Sequence, residues 1–169
     1  MKNNKGFSLV ELIIVIAILA VVSSVSIVGL SYVSSTNVKS TVRKINSSLL
    51  KTQNYTMSKS SGGRDIGMRL TLDSSGNYCI QYIGMGQTDE VIGKSNIIIK
   101  CYKTDNSVQT VASGPVEIYF DRATGGLLTA DASVPNVYWN KIEVLIGGKS
   151  KGYVTISKVT GKTEVTFTQ

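Results

Sequence analysis

Lys5-Gly6-Phe7-Ser8-Leu9-Val10-Glu11 runs straight into Leu12-Ile13-Ile14-Val15-Ile16-Ala17-Ile18-Leu19-Ala20-Val21-Val22, and further on Val38, Val42, Ile45 and Leu49 recur at steps of four and three. No proline falls between Phe7 and Met57, and Gly29 is the single glycine there, so the spacing predicts one helix over about 7–57. Its first half, to about Tyr32, carries one charge and is long enough to span a bilayer at about 1.5 Å rise per residue. Ser23, Ser24, Ser26, Gly29, Ser31 and Ser34 give the later part of that half the small side chains that let helices approach closely. The second half is amphipathic. Lys39, Arg43, Lys44 and Lys51 take other faces, which leaves the Val38-to-Leu49 stripe to pack on a globular domain.

Glu11 is the anomaly in the apolar run. A carboxylate at membrane depth costs roughly 2.5 to 3.5 kcal/mol on insertion scales, so it calls for a cationic partner. A cut between Gly6 and Phe7 would create one, a free amine one helical turn from Glu11. An ordinary secretory signal would need a small-residue cleavage site, which the Ser23-Ser24 region imitates, but it leaves Glu11 unexplained, as does a plain membrane anchor.

The register of Lys5, Gly6, Phe7 and Glu11 against the apolar stretch resembles the prepilin leader of type IV pilins and type II secretion pseudopilins. The resemblance implies a leader peptide, 1–6, removed by a membrane-embedded prepilin peptidase after Gly6. It also implies N-methylation of Phe7 and pairing of Glu11 with the amine of a neighbouring subunit during assembly. The partners it implies are other pilin subunits, met through the N-terminal helix, the peptidase, an inner assembly platform and, for the precursor, the membrane.

Lys and Arg total 18 against 11 Asp and Glu, a net charge of +7. Setting aside Lys2, Lys5 and Glu11 leaves 16 against 10, so the part beyond the expected membrane segment carries +6. This charge suits anionic partners, and equally simple solubility. Histidine is absent, which removes imidazole acid/base chemistry, the common nucleophile pairs and most zinc sites. We therefore expect no enzyme, no cofactor and no metal. Cys79 and Cys101 lie in strand-like runs, and either a disulfide closing a loop of roughly 20 residues or two buried thiols fits them.

Ser60-Ser61-Gly62-Gly63 marks the exit from the helix into a domain over 58–169. β-branched and aromatic runs follow at 69–72, 78–83, 96–102, 116–120, 141–146, 152–157 and 163–167. Gly76-Asn77, Gly125-Gly126, Gly147-Gly148 and Thr160-Gly161 are the clearest turns between them. The expected fold class is α+β, a long helix whose amphipathic half lies on a mostly antiparallel sheet. The pattern from Val116 to Lys162 resembles the end of the GspH/FimT class of minor pilins and pseudopilins, which implies a place at a filament tip or in an initiating complex.

Three GK[ST] triplets, at Gly93, Gly148 and Gly161, lack the glycine five positions earlier that a phosphate cradle needs; Thr88, Glu143 and Ile156 stand there. Asp121, Asp131 and Glu143 fit no calcium loop and read as exposed carboxylates. Tyr138-Trp139 reads as core rather than a stacking platform. Some FimT-like minor pilins bind DNA through a basic Gly-Arg-x-Arg tail; the matching stretch here is Gly161-Lys162-Thr163-Glu164, in which an acid replaces the second cation. A nucleic-acid contact, if present, would fall on Lys149, Lys151, Lys158 and Lys162, and it is not the favoured reading. The sequence therefore predicts a filament subunit, minor rather than major, that begins as a single-pass membrane precursor and ends in an extracellular or envelope filament. A DNA-uptake pilin and a major pilin are the alternatives.

Overall fold

The computed structural model describes residues 9–60 and 63–168, with backbone alone for residues 22–35. Helix α1 covers Leu9–Ser58, uninterrupted as its lack of proline requires. The chain divides into two compact units, Met1–Thr36 and Asn37–Gln169. In the first, the large apolar side chains between Leu9 and Val21 are 51% to 75% exposed on all faces of the helix. Among the described residues no helix is long and apolar enough to cross a membrane. Of residues 22–35 in this unit no side chain is described, so much of the segment expected to span the bilayer, about 7–32, lies outside the described side chains.

In the second unit Val38, Val42, Ile45 and Leu49 are fully buried, as their spacing predicts. Among the described residues nine antiparallel strands follow, forming two sheets rather than one. The four-stranded sheet holds β1 (Gly67–Leu72), β2 (Asn77–Ile83), β3 (Glu90–Lys94) and β6 (Val116–Tyr119), in the order β3-β2-β1-β6. The five-stranded sheet holds β4 (Ile98–Lys103), β5 (Val108–Thr110), β7 (Trp139–Ile146), β8 (Lys149–Ile156) and β9 (Thr163–Phe167), ordered β5-β4-β7-β8-β9.

Helix and sheets share one core, in which Ile45 and Leu49 of α1 join Leu70, Ile80 and Ile118 of the smaller sheet and Ile99, Ile142 and Val154 of the larger. Polar contacts fix how α1 lies on them. Thr41 donates to the Ile92 carbonyl at 2.6 Å, and Ser48 shares a hydrogen bond with the Tyr82 hydroxyl at 2.8 Å, both on the smaller sheet. On the larger sheet Gly152 lies against Val42, where a Cβ would come within 3.3 Å of Val42 Cγ2. The far end of α1 is tied down by Gln53, whose amide donates both protons at 2.8 Å, one to Gly125 O and one to Thr160 O.

Candidate functional site

Gly6 and Phe7, the expected cleavage and methylation positions, lie outside the described residues. What is described begins two residues later, and Glu11 occupies the first turn of α1, the end of a helix that favours a negative charge. Around and beyond Glu11 the helix is apolar on every side, with no stripe that could be satisfied by one sheet. A surface of that kind is stable only when lipid or other helices surround it. The described part of the segment thus exposes apolar side chains in all directions and carries one carboxylate near its start.

The other sequence candidates resolve into turns and packing. Asp121 accepts from Thr124 N, the Thr124 hydroxyl and Ala123 N, and these hydrogen bonds hold its carboxyl below the ordinary aspartate range. Asp131 does the same work for Ser133, backbone first and hydroxyl second, with the same downward shift. Glu143 corrects the expectation of an exposed carboxylate. It is 8% exposed, accepting from the Tyr102 hydroxyl at 2.5 Å and from Lys141 Nζ at 3.2 Å. No cluster of metal-binding type occurs among the described residues.

Cys79 and Cys101 are both buried and both free in this structure. Cys79 belongs to β2 of the smaller sheet and Cys101 to β4 of the larger, so the two runs are not neighbouring strands. Burial pushes both thiols up, keeping them protonated and poor nucleophiles.

Lys149, Lys151, Lys158 and Lys162 do not form one cluster. Lys149 and Lys151 open β8, whereas Lys158 and Lys162 flank the turn after its other end. At about 3.3 Å per residue the two pairs stand roughly 20 Å apart along the strand. Of the GK[ST] triplets, Gly161 is needed for close approach: at φ +65° its Cβ would strike Gly125 O and the Gln53 amide. Tyr138 and Trp139 belong to the core and its margin, with Trp139 4% exposed. Two features were missed in the sequence. Gln53 looks like any polar residue on a helix and gains its role from glycine turns far along the chain. The approach of Lys44 to Lys94 across one groove depends on strand register, and the glycine beside Lys94 lies within β3 rather than in a turn.

Residues 1–27 match the family model described as the prokaryotic N-terminal methylation motif. No curated protein and no solved structure matches the chain. The motif supports a type IV pilin-like prepilin, and it implies processing by a prepilin peptidase and assembly with other pilins.

Proposed function

We propose that the chain is a structural subunit of a type IV pilus or pilus-like secretion filament, and a minor subunit that initiates or caps assembly. The observation that carries this reading is the methylation motif in register with a helix apolar on all sides from Leu9 to Val21 and bearing Glu11 in its first turn. As a precursor the chain is anchored once in the membrane through about 7–32; after cleavage the same apolar surface is covered by the helices of neighbouring subunits. The minor role rests on the likeness of the Val116-to-Lys162 pattern to GspH/FimT proteins. A non-catalytic role is supported by the absence of histidine and by the engagement of Asp121, Asp131 and Glu143 in turns and packing. Separation of Lys149 and Lys151 from Lys158 and Lys162 speaks against a DNA-receptor tail.

Mass spectrometry of the N-terminal peptide from native envelopes tests the reading. A mature chain starting at N-methylated Phe7 is expected. An intact Met1 terminus, or a cut near Ser24, would remove the pilin assignment.

A further inference from the structure

The topology of the globular unit gathers at one end six cations that are scattered through the sequence. Lys39, Arg43 and Lys44 lie on the first turns of α1 in this unit, Lys94 closes β3, and Lys149 and Lys151 open β8. Their convergence follows from register. An open groove of about 470 Å³ runs between α1 and the β3–β4 turn, lined among others by Ser40, Thr41, Lys44, Lys94 and Ser95. The pairings Ile98 with Leu145 and Ile146 with Lys149 set the β7–β8 turn level with the start of β4. On the other flank Gly152 packs against Val42 and Phe167, and the Arg43 guanidinium lies 5.7 Å from the centre of the Phe167 ring.

Two acids share this end. Glu90 lies 3.6 Å from Lys44, and Asp73 is occupied by the backbone of its own turn, which touches Ser95 through Gly76. An excess of four positive charges therefore remains, and among the described residues Lys44 is the one cation of the six in an ion pair. Towards the other end Lys59, Arg64, Arg122, Lys158 and Lys162 are interspersed with Asp65, Asp121 and Asp131, an excess of two, so the positive charge is concentrated at the first end.

The basic end is also the end at which the chain arrives, through Thr36 and Asn37, from the apolar segment Leu9–Val21. We propose that it is a docking surface for anionic lipid headgroups, holding the globular unit of the precursor against the bilayer. This rests on the anchored-precursor reading given above. A patch of this charge would bind free lipid weakly, but a tether makes the contact intramolecular and raises the effective headgroup concentration. A lipid surface fits better than nucleic acid. Of the six cations Lys44 and Lys94 alone line the groove, the others being spread over the helix and the start of β8, and the aromatic ring among them, Phe167, is occupied by Arg43.

The test uses the full chain reconstituted into vesicles of phosphatidylcholine, or of phosphatidylcholine with phosphatidylglycerol. Flotation reports insertion, and amide hydrogen exchange at 94–96 and 147–149 reports docking. The chain should float with both vesicle types, with these turns protected in the anionic ones alone and the protection lost at high salt. Lys94→Gln and Lys149→Gln should each lower the docked-to-undocked ratio about fivefold. Unchanged exchange in β7 would show that the fold is intact. Flotation with equal exchange in both vesicle types overturns the lipid surface and leaves the anchor standing. Failure to float overturns the anchor and this proposal with it. Protection by duplex DNA but not by anionic vesicles overturns it in favour of nucleic acid.

Discussion

Glu143 shows how a single residue escapes the pattern of its own strand. Alternation along β7 sends Ile142 and Val144 inward and Lys141 and Glu143 outward, yet Glu143 is nearly as inaccessible as the core. Its cover comes from other strands: Tyr102 on β4, and Tyr153 directly opposite on β8, with Lys141 Nζ lying 4.8 Å and 4.6 Å from the two ring centres. Burial pushes the Glu143 carboxyl up, but hydrogen bonds from Tyr102 and Lys141 outweigh it and leave the group below its ordinary value. In return the hydrogen bond to Glu143 pushes the Tyr102 hydroxyl up to about 12 from 10.0. A hydroxyl whose folded value is raised contributes stability that is complete below the unfolded value and lost as pH rises through the folded one. Stability should therefore fall between about pH 10 and pH 12, since the unfolded chain releases the proton first. Tyr102→Phe should cost about 1 to 3 kcal/mol near neutral pH, because a buried carboxylate loses a donor, and should flatten part of that alkaline decline. Denaturant titrations across the pH range measure both effects, and unchanged stability at neutral pH would show that Lys141 alone satisfies Glu143.

Among the elements, the end of α1 and the turns that meet it behave as one joint. Gln53 donates to Gly125 O and Thr160 O, and Gly161 fits between them where no side chain can. Gly148 has the same left-handed backbone, at φ +77°, but open space where its Cβ would go. Gly148→Ala should thus cost about 1 kcal/mol, the conformational term alone, whereas Gly161→Ala adds a collision with backbone and should cost clearly more. Gln53→Ala should cost about 1 kcal/mol, as a part-buried and an exposed carbonyl lose their donor and water can replace it at the second. Thermal unfolding of the three variants ranks them; equal losses for the two glycines would mean that the loop yields without resistance. The helix and seven strands were legible because long runs of β-branched residues and a four-three stripe leave little choice of period. Glu90–Lys94 was not, since a charge at each end and Gly93 hide the single inward residue Ile92. Val108–Thr110 is too short to carry a period. Alternation also reveals which side of a strand faces inward but not which strands pair, so the division into two sheets, and with it the separation of Cys79 from Cys101, had no local signature.

At the scale of the whole molecule the two units divide the physical demands between them. Among the described residues every buried apolar residue of the core lies at or beyond Val38, while the apolar side chains of Leu9 to Val21 are exposed. The candidate site was drawn from spacing alone: Gly6, Phe7 and Glu11 stand in register with the apolar run, and of the three only Glu11 lies among the described residues. The basic end of the globular unit depends on the register of two hairpins and could not be read that way. This division predicts that folding and assembly can be broken separately. Leu49→Ala removes a fully buried side chain that joins α1 to both sheets, and should cost about 2 to 5 kcal/mol of domain stability. Glu11→Ala lies outside that core and should leave the unfolding midpoint of the globular unit unchanged in the detergent-solubilised full chain. Yet it takes from the apolar segment its one carboxylate, the group that a neighbouring subunit's amine would meet, and should abolish incorporation into filaments. Restoring a carboxylate of different length, Glu11→Asp, should recover incorporation in part if charge is what matters. Normal filament incorporation of Glu11→Ala, with the chain correctly cut after Gly6, would show that processing and assembly do not share this residue.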